Sequence, residues 1–238
     1  MGVTDLHREK QGAPPPGVYA VFTPYGEEAS VAAALLTQEL AVYGTCAYVN
    51  MSAFPHFYIR DSVSGNHHLG ELFFRLEGES YDALVRESQI PYGRAVRVPS
   101  ISHYRDLWDI HEEDRKRFLE RLNNDCQIPY IVVLFNDIRE AMPAVSFTTR
   151  FCILLRGHDP DACMERWHRY ARTEKQEGAG VVVALGMPES WGRWIAEMEQ
   201  TAPEVWLEDR EKKEFASRLW REEANDGSDT DRARDTVT

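Results

Sequence analysis

The stretch YAVFTPYGEEASVAAALLTQEL, residues 19–40, limits what this chain can be more than any other. An apolar strand over 18–22 runs into the turn Thr23-Pro24-Tyr25-Gly26, and a helical pattern follows over 28–43 until Gly44 stops it. Strand, tight loop and helix in that order gather backbone N–H groups and a helix N-terminus around a phosphate. A working phosphate loop reads G-x-x-x-x-G-K-[ST]: glycines let the backbone approach, lysine meets the β- and γ-phosphates, and the hydroxyl holds Mg²⁺. With Gly26 at the third place of that motif, this chain has Ala29, Ser30 and Val31 where the second glycine, the lysine and the hydroxyl residue fall, and Glu27 and Glu28 put two carboxylates into the loop.

The electrostatics oppose a triphosphate there. Like charges about 4 Å apart repel by about 4 kcal/mol at an effective dielectric near 20. A helix N-terminus returns only about 0.3–1 kcal/mol at an exposed site, or about 2 kcal/mol when partly buried. Without lysine and Mg²⁺, repulsion wins unless both glutamates turn away.

The 238 residues, 43% of them hydrophobic, suffice for one substantial core. We expect a lead-in over 1–17 that is disordered up to the run of prolines, one α/β domain over 18–223, and a disordered acidic tail over 224–238. A net charge of −12 argues against a general nucleic-acid binder, which needs a basic face to displace counterions. No apolar run reaches the length of a transmembrane helix. The four cysteines are far apart, and none falls in a metal or disulfide spacing, which suits a reducing cytoplasm.

Further apolar strands are predicted over 45–51, 94–98, 129–135, 150–155 and 181–185. Helices are predicted over 69–76, 81–87, 110–126, 159–176 and 207–223, with Asp159 as an N-cap and Pro160 at the first helical position. Short continuous apolar strands alternating with helices specify a three-layer α/β fold, a mainly parallel sheet with helices on both faces.

Read together, the loop after the first strand, YVNMSAFP after the second and IPYIVVLFND at 128–137 resemble the ParA/MinD family of P-loop ATPases. The resemblance spans 18–199 and includes the MinD-like proteins linked to pilus assembly. It implies the P-loop NTPase-like fold and marks where that family's chemistry sits. Thr23, Pro24 and Gly26 agree with the family's loop. Tyr25 stands at its signature lysine, Ser30 at its phosphate-binding lysine and Val31 at its Mg²⁺ hydroxyl. Asn50 or Ser52 stands where the second strand carries acids, and Leu134 where a later strand carries the metal-supporting aspartate, Asp137 being displaced by three residues.

Losses at all of these places argue against ordinary ATP hydrolysis. The expectation is therefore a pseudo-ATPase with no catalytic residues, no bound cofactor and no metal, acting as a protein-binding or localisation module in a bacterial cytoplasmic assembly. Pilus or secretion positioning, or control of an active ATPase, is the setting the resemblance suggests. The family's nucleotide-sandwich dimer uses the lysine replaced by Tyr25, so a homodimer here is expected to form without nucleotide. The alternative is an atypical ATPase, or another enzyme, using ATP and Mg²⁺ in the same pocket with displaced acids such as Asp61 or Asp137.

Candidate partner-binding residues are Phe54, His56, Phe57 and Tyr58, in a region that contacts partners in the family, together with Trp191 and Trp194. The two tryptophans, three residues apart on one helix face, read either as core or as an anchor. His67 and His68 read as a polar loop, and the acids at 112–114 as a helix start that suits the dipole.

Overall fold

The computed structural model describes residues 12–23, 26–52, 68–78, 80–100, 109–156, 160–173, 181–198, 200–201 and 205–221, with backbone alone at 26–29, 160, 167–168 and 170–173. Seven strands form one sheet: β1 (Gly17–Phe22), β2 (Cys46–Asn50), β3 (Ile90–Tyr92), β4 (Ala95–Arg97), β5 (Tyr130–Phe135), β6 (Arg150–Leu155) and β7 (Val181–Gly186). Their order is β3-β4-β2-β5-β1-β6-β7, parallel throughout except where β3 and β4 form an antiparallel hairpin. The described helices are α1 (Gly26–Leu40), α2 (Leu69–Phe74), α3 (Tyr81–Ser88), α4 (Glu112–Asn124), α5 (Ile138–Ala144), α6 (Pro160–Thr173), α7 (Trp191–Met198) and α8 (Arg210–Trp220).

The apolar character of the central strands follows from their place in the sheet. β1, β5 and β6 have neighbours on both edges and helices on both faces, so nearly every side chain is buried. Alternation splits β1 between two cores. Val18, Ala20 and Phe22 join Leu72, Val85, Phe118, Leu122 and Ala141 beneath α2, α3, α4 and α5. Tyr19 and Val21 join Leu35, Leu36, Trp194, Phe215 and Leu219 beneath α1, α7 and α8.

The structure shifts several predicted boundaries. α1 begins at Gly26 and ends at Leu40, three residues before the expected last helical residue, because the chain tightens into turns with Val42 N–H donating to Glu39 O and Tyr43 N–H to Leu40 O. α8 starts only at Arg210, where Asp209 caps it by accepting from Glu211 N–H. The expected cap Asp159 lies outside the described residues, though α6 does begin at Pro160. Two elements were not foreseen. β3 contains Pro91, tolerated because the strand lies at the sheet edge. α5 contains Pro143, near the helix end that passes into the 3₁₀ turn Val145–Phe147.

The β3–β4 turn is pinned from α1. Gly93 has φ +61°, and a Cβ there would lie 2.5 Å from Gln38 Oε1. The close approach leaves room for the buried Gln38 amide to donate to Tyr92 O at 2.8 Å and accept from Arg94 N–H at 2.9 Å.

Candidate functional site

In a parallel sheet of this kind the ligand edge is where the strands end and the following helices begin, since helix N-termini gather there. β1 ends at Phe22, and Thr23 beyond it is fully buried with its own polar partner. Pro24 and Tyr25 lie outside the described residues, as do Phe54, His56, Phe57, Tyr58 and Asp61. α1 picks up at Gly26, and the side chains of Glu27, Glu28 and Ala29 are not described.

Ser30 and Val31 point into the protein. Ser30 is 0% exposed and its hydroxyl has no hydrogen-bond partner among the described residues. Val31 is buried in the same apolar cluster as Leu134.

On the sheet, Leu134 lies between Val21 and Asn50 in register, and its side chain is fully buried. Asn50 is buried too, and its Oδ1 accepts from Ser52 N–H at 2.9 Å, so the amide folds back over its own strand exit. Three strand ends thus present an amide and apolar groups to the helix start, with no carboxylate among them.

Asp137 lies just past β5. Its Oδ1 accepts from Arg139 N–H at 2.9 Å as the N-cap of α5, and its carboxylate also takes three hydrogen bonds from the Arg139 guanidinium, the shortest 2.6 Å. Those bonds hold the Asp137 carboxyl below its ordinary value. The group is committed to structure, which disfavours it as a free metal-supporting acid.

Beside it the first turns of α4 and α5 enclose a cleft of about 520 Å³. Ile110, His111, Glu112 and Arg115 line one wall, and Asp137, Arg139 and Glu140 the other. Glu140 is 8% exposed, with Arg115 Nη2 3.7 Å from its Oε1. Burial raises the Glu140 carboxyl above its ordinary value, partly offset by Arg115. The sequence reading passed over this pair because α5 was not foreseen. Asp137 as a capping residue type, followed by apolar Ala141 and Ala144, was the available signal.

Trp191 and Trp194 are 5% and 1% exposed, their ring centroids 5.6 Å apart and each packed edge-on to Phe215. They therefore belong to the core reading and leave no open ring for a partner, because α8 covers their face. Burial pushes all four cysteine thiols up, Cys152 to about 12, so none is a ready thiolate at neutral pH. Among the described residues no three His, Cys, Asp or Glu side chains converge as a metal site. No described helix is long and apolar enough to cross a membrane.

No protein-family model matches this chain, and no curated protein matches it by sequence. Solved structures do match by shape. A ParA family ATPase from Chlorobium tepidum TLS superposes with a TM-score of 0.60 at 12% identity, over 86% of this chain and 97% of that one. The cell division ATPase MinD of Pyrococcus furiosus gives 0.55 at 10% identity, over 85% and 95%.

The fold is ParA/MinD-like.

A third match, a chain of the MinC:MinD cell division protein complex of Aquifex aeolicus, gives 0.50 at 13% identity over 85% of each chain. On a ParA/MinD-like fold the loop after β1 and the ends of β2 and β5 surround one place, which is where Ser30, Asn50 and Leu134 lie. At these identities the likeness concerns the fold alone.

Proposed function

We propose that this chain is a catalytically inactive ParA/MinD-like protein, a pseudo-ATPase that works as a protein-binding or localisation module in a bacterial cytoplasmic assembly. The observation that carries the reading is the Val21-Leu134-Asn50 row beside buried Ser30 and Val31. Where phosphoryl transfer needs a lysine, a hydroxyl on Mg²⁺ and a supporting acid, these positions offer a buried serine, valine, leucine and an amide that already has its bond. Asp137, the displaced acid of the alternative, spends its acceptors on Arg139, which favours the inactive reading.

A positioning role, at a pilus or secretion assembly or through an active ATPase, is proposed by analogy. Structures of this shape include a cell division ATPase and a complex of two cell division proteins.

The test is a calorimetric titration of the purified chain with ATP and Mg²⁺, run beside a Glu27→Gly/Ser30→Lys variant. The unmodified chain is expected to give no saturable heat. Micromolar binding by it, or turnover of ATP, would overturn the proposal.

A further inference from the structure

Arg150, at the amino end of β6, is a buried cation without a counter-charge. It is 5% exposed, its Nη1 is closed off with no hydrogen-bond partner, and no carboxylate pairs with it among the described residues. Taking a lone charge out of water is costly, so buried charges are expected to be paired. Lys212, similarly buried, is met by Glu197. The other Arg150 nitrogens, Nε and Nη2, are not closed off, and they leave an edge of the guanidinium that an acceptor can reach. That planar edge suits a carboxylate.

The course of α8 indicates what brings the carboxylate. Arg150 and Cys152 alternate onto one face of β6, and Cys152 belongs to the cluster beneath α1, α7 and α8. Burial raises the Tyr19 hydroxyl and the Cys152 thiol, and the Arg150 charge offsets part of both rises, which sets the guanidinium near them. Phe215 of α8 packs on Trp191 and Trp194, beyond the carboxyl end of β7. One turn later Leu219 O accepts from Cys152 Sγ at 3.0 Å, and Trp220 lies edge-on to Tyr43, between α1 and the amino end of β2. α8 therefore descends towards the amino ends of the strands and finishes on the Arg150 face. Glu39, the buried carboxylate near the end of α1, accepts from Ser217 Oγ at 3.4 Å and makes no ion pair with Arg150. Arg221 has already left the helix in extended backbone, φ −76° and ψ 140°, and the next two residues are Glu222 and Glu223.

We propose that Arg150 is the docking site for the first acids past α8, and that the carboxylate of Glu222 or Glu223 clasps it. In extended backbone consecutive side chains point to opposite sides, so one of the two turns to the sheet. The clasp fastens the last turn of α8 to β6 and so holds the helix that covers Trp191 and Trp194. It is independent of whether the loop after β1 takes nucleotide.

The experiment compares thermal midpoints of the full chain with those of Glu222→Gln, Glu223→Gln and the two together, each with Arg150 and with Arg150→Gln, a cycle that isolates their coupling. Relieving a chain of net charge −12 of two acids should by itself stabilise it, so a fall in midpoint reports a lost contact. With Arg150 in place the double substitution is expected to lower the midpoint by about 3 °C or more, and the single substitutions name the acid. With Arg150→Gln the same changes should have no effect. Amide exchange over 210–220 should become about tenfold faster in the double variant but not in Asp226→Asn/Asp229→Asn, a readout that stands even if Arg150→Gln does not fold. Inorganic phosphate is the probe for an outside anion in place of the chain's own acids. Equal falls in both Arg150 backgrounds, no fall in either, unchanged exchange, or a phosphate-induced rise in midpoint that needs Arg150 but is the same in wild type and double variant would each overturn the proposal.

Discussion

Asn50 of β2 and Leu134 of β5 are register partners at the carboxyl end of the sheet, and both are buried. Leu134 also pairs with Val21 of β1, and its side chain stands in a buried apolar cluster. Restoring an acid at 134 is therefore not a restoration of chemistry. Leu134→Asp is expected to destabilise the fold by about 3–5 kcal/mol, the cost of an uncompensated buried charge. Urea unfolding measures it, and a loss below about 1 kcal/mol would mean that the site holds a counter-charge.

Ser30 leads to the opposite expectation. Its hydroxyl is buried with no hydrogen-bond partner among the described residues, so Ser30→Ala is expected to remove a polar group that gains little in the folded state. Stability should be unchanged or higher by about 1 kcal/mol. A drop of more than about 1 kcal/mol in the same unfolding experiment would show that the hydroxyl is bonded in solution.

Gln38 joins α1 to the β3–β4 hairpin through Tyr92 O and Arg94 N–H. Gln38→Ala strips both groups of their partner at once, at about 1–3 kcal/mol. Amide hydrogen exchange at Arg94 reads the local effect, which should be faster in the variant than in the wild type.

Asp137 gives a pH-dependent term. Its carboxyl is held below the ordinary value, so its stabilising contribution is present above that value and is lost as pH falls through the lowered one. Asp137→Ala should cost about 1 kcal/mol at neutral pH through the lost cap of α5, and the gap to wild type should close in strong acid. Asp137→Asn keeps a cap and should recover much of the difference. Thermal unfolding across the pH range tests both statements.

Much of the architecture was legible because parallel strands buried on both faces must be apolar along their whole length. The runs at 130–135 and 150–155 could hardly be anything else. β3 and α5 were illegible for the converse reason. Each is short and contains a proline, and each exists because the sheet edge or a side-chain cap supplies what local propensity withholds. Ser30, Asn50 and Leu134 were singled out from sequence order. That one strand register sets Asn50 and Leu134 side by side depends on crossovers no local pattern states. The Arg115–Glu140 pair, 25 residues apart on separate helices, left no local trace.

By itself the sequence determined the layered α/β class and the residue types at the phosphate-loop positions, since periodicity and side-chain chemistry are properties of the chain alone. Only the tertiary structure decided which of those groups have partners. It left the Ser30 hydroxyl without a partner among the described residues, turned the Asn50 amide onto Ser52, tied Asp137 to Arg139 and closed a helix over Trp191 and Trp194. Burial and pairing are set by elements distant in sequence, and it is they that fix whether a polar group is spent on the fold or left open to a ligand.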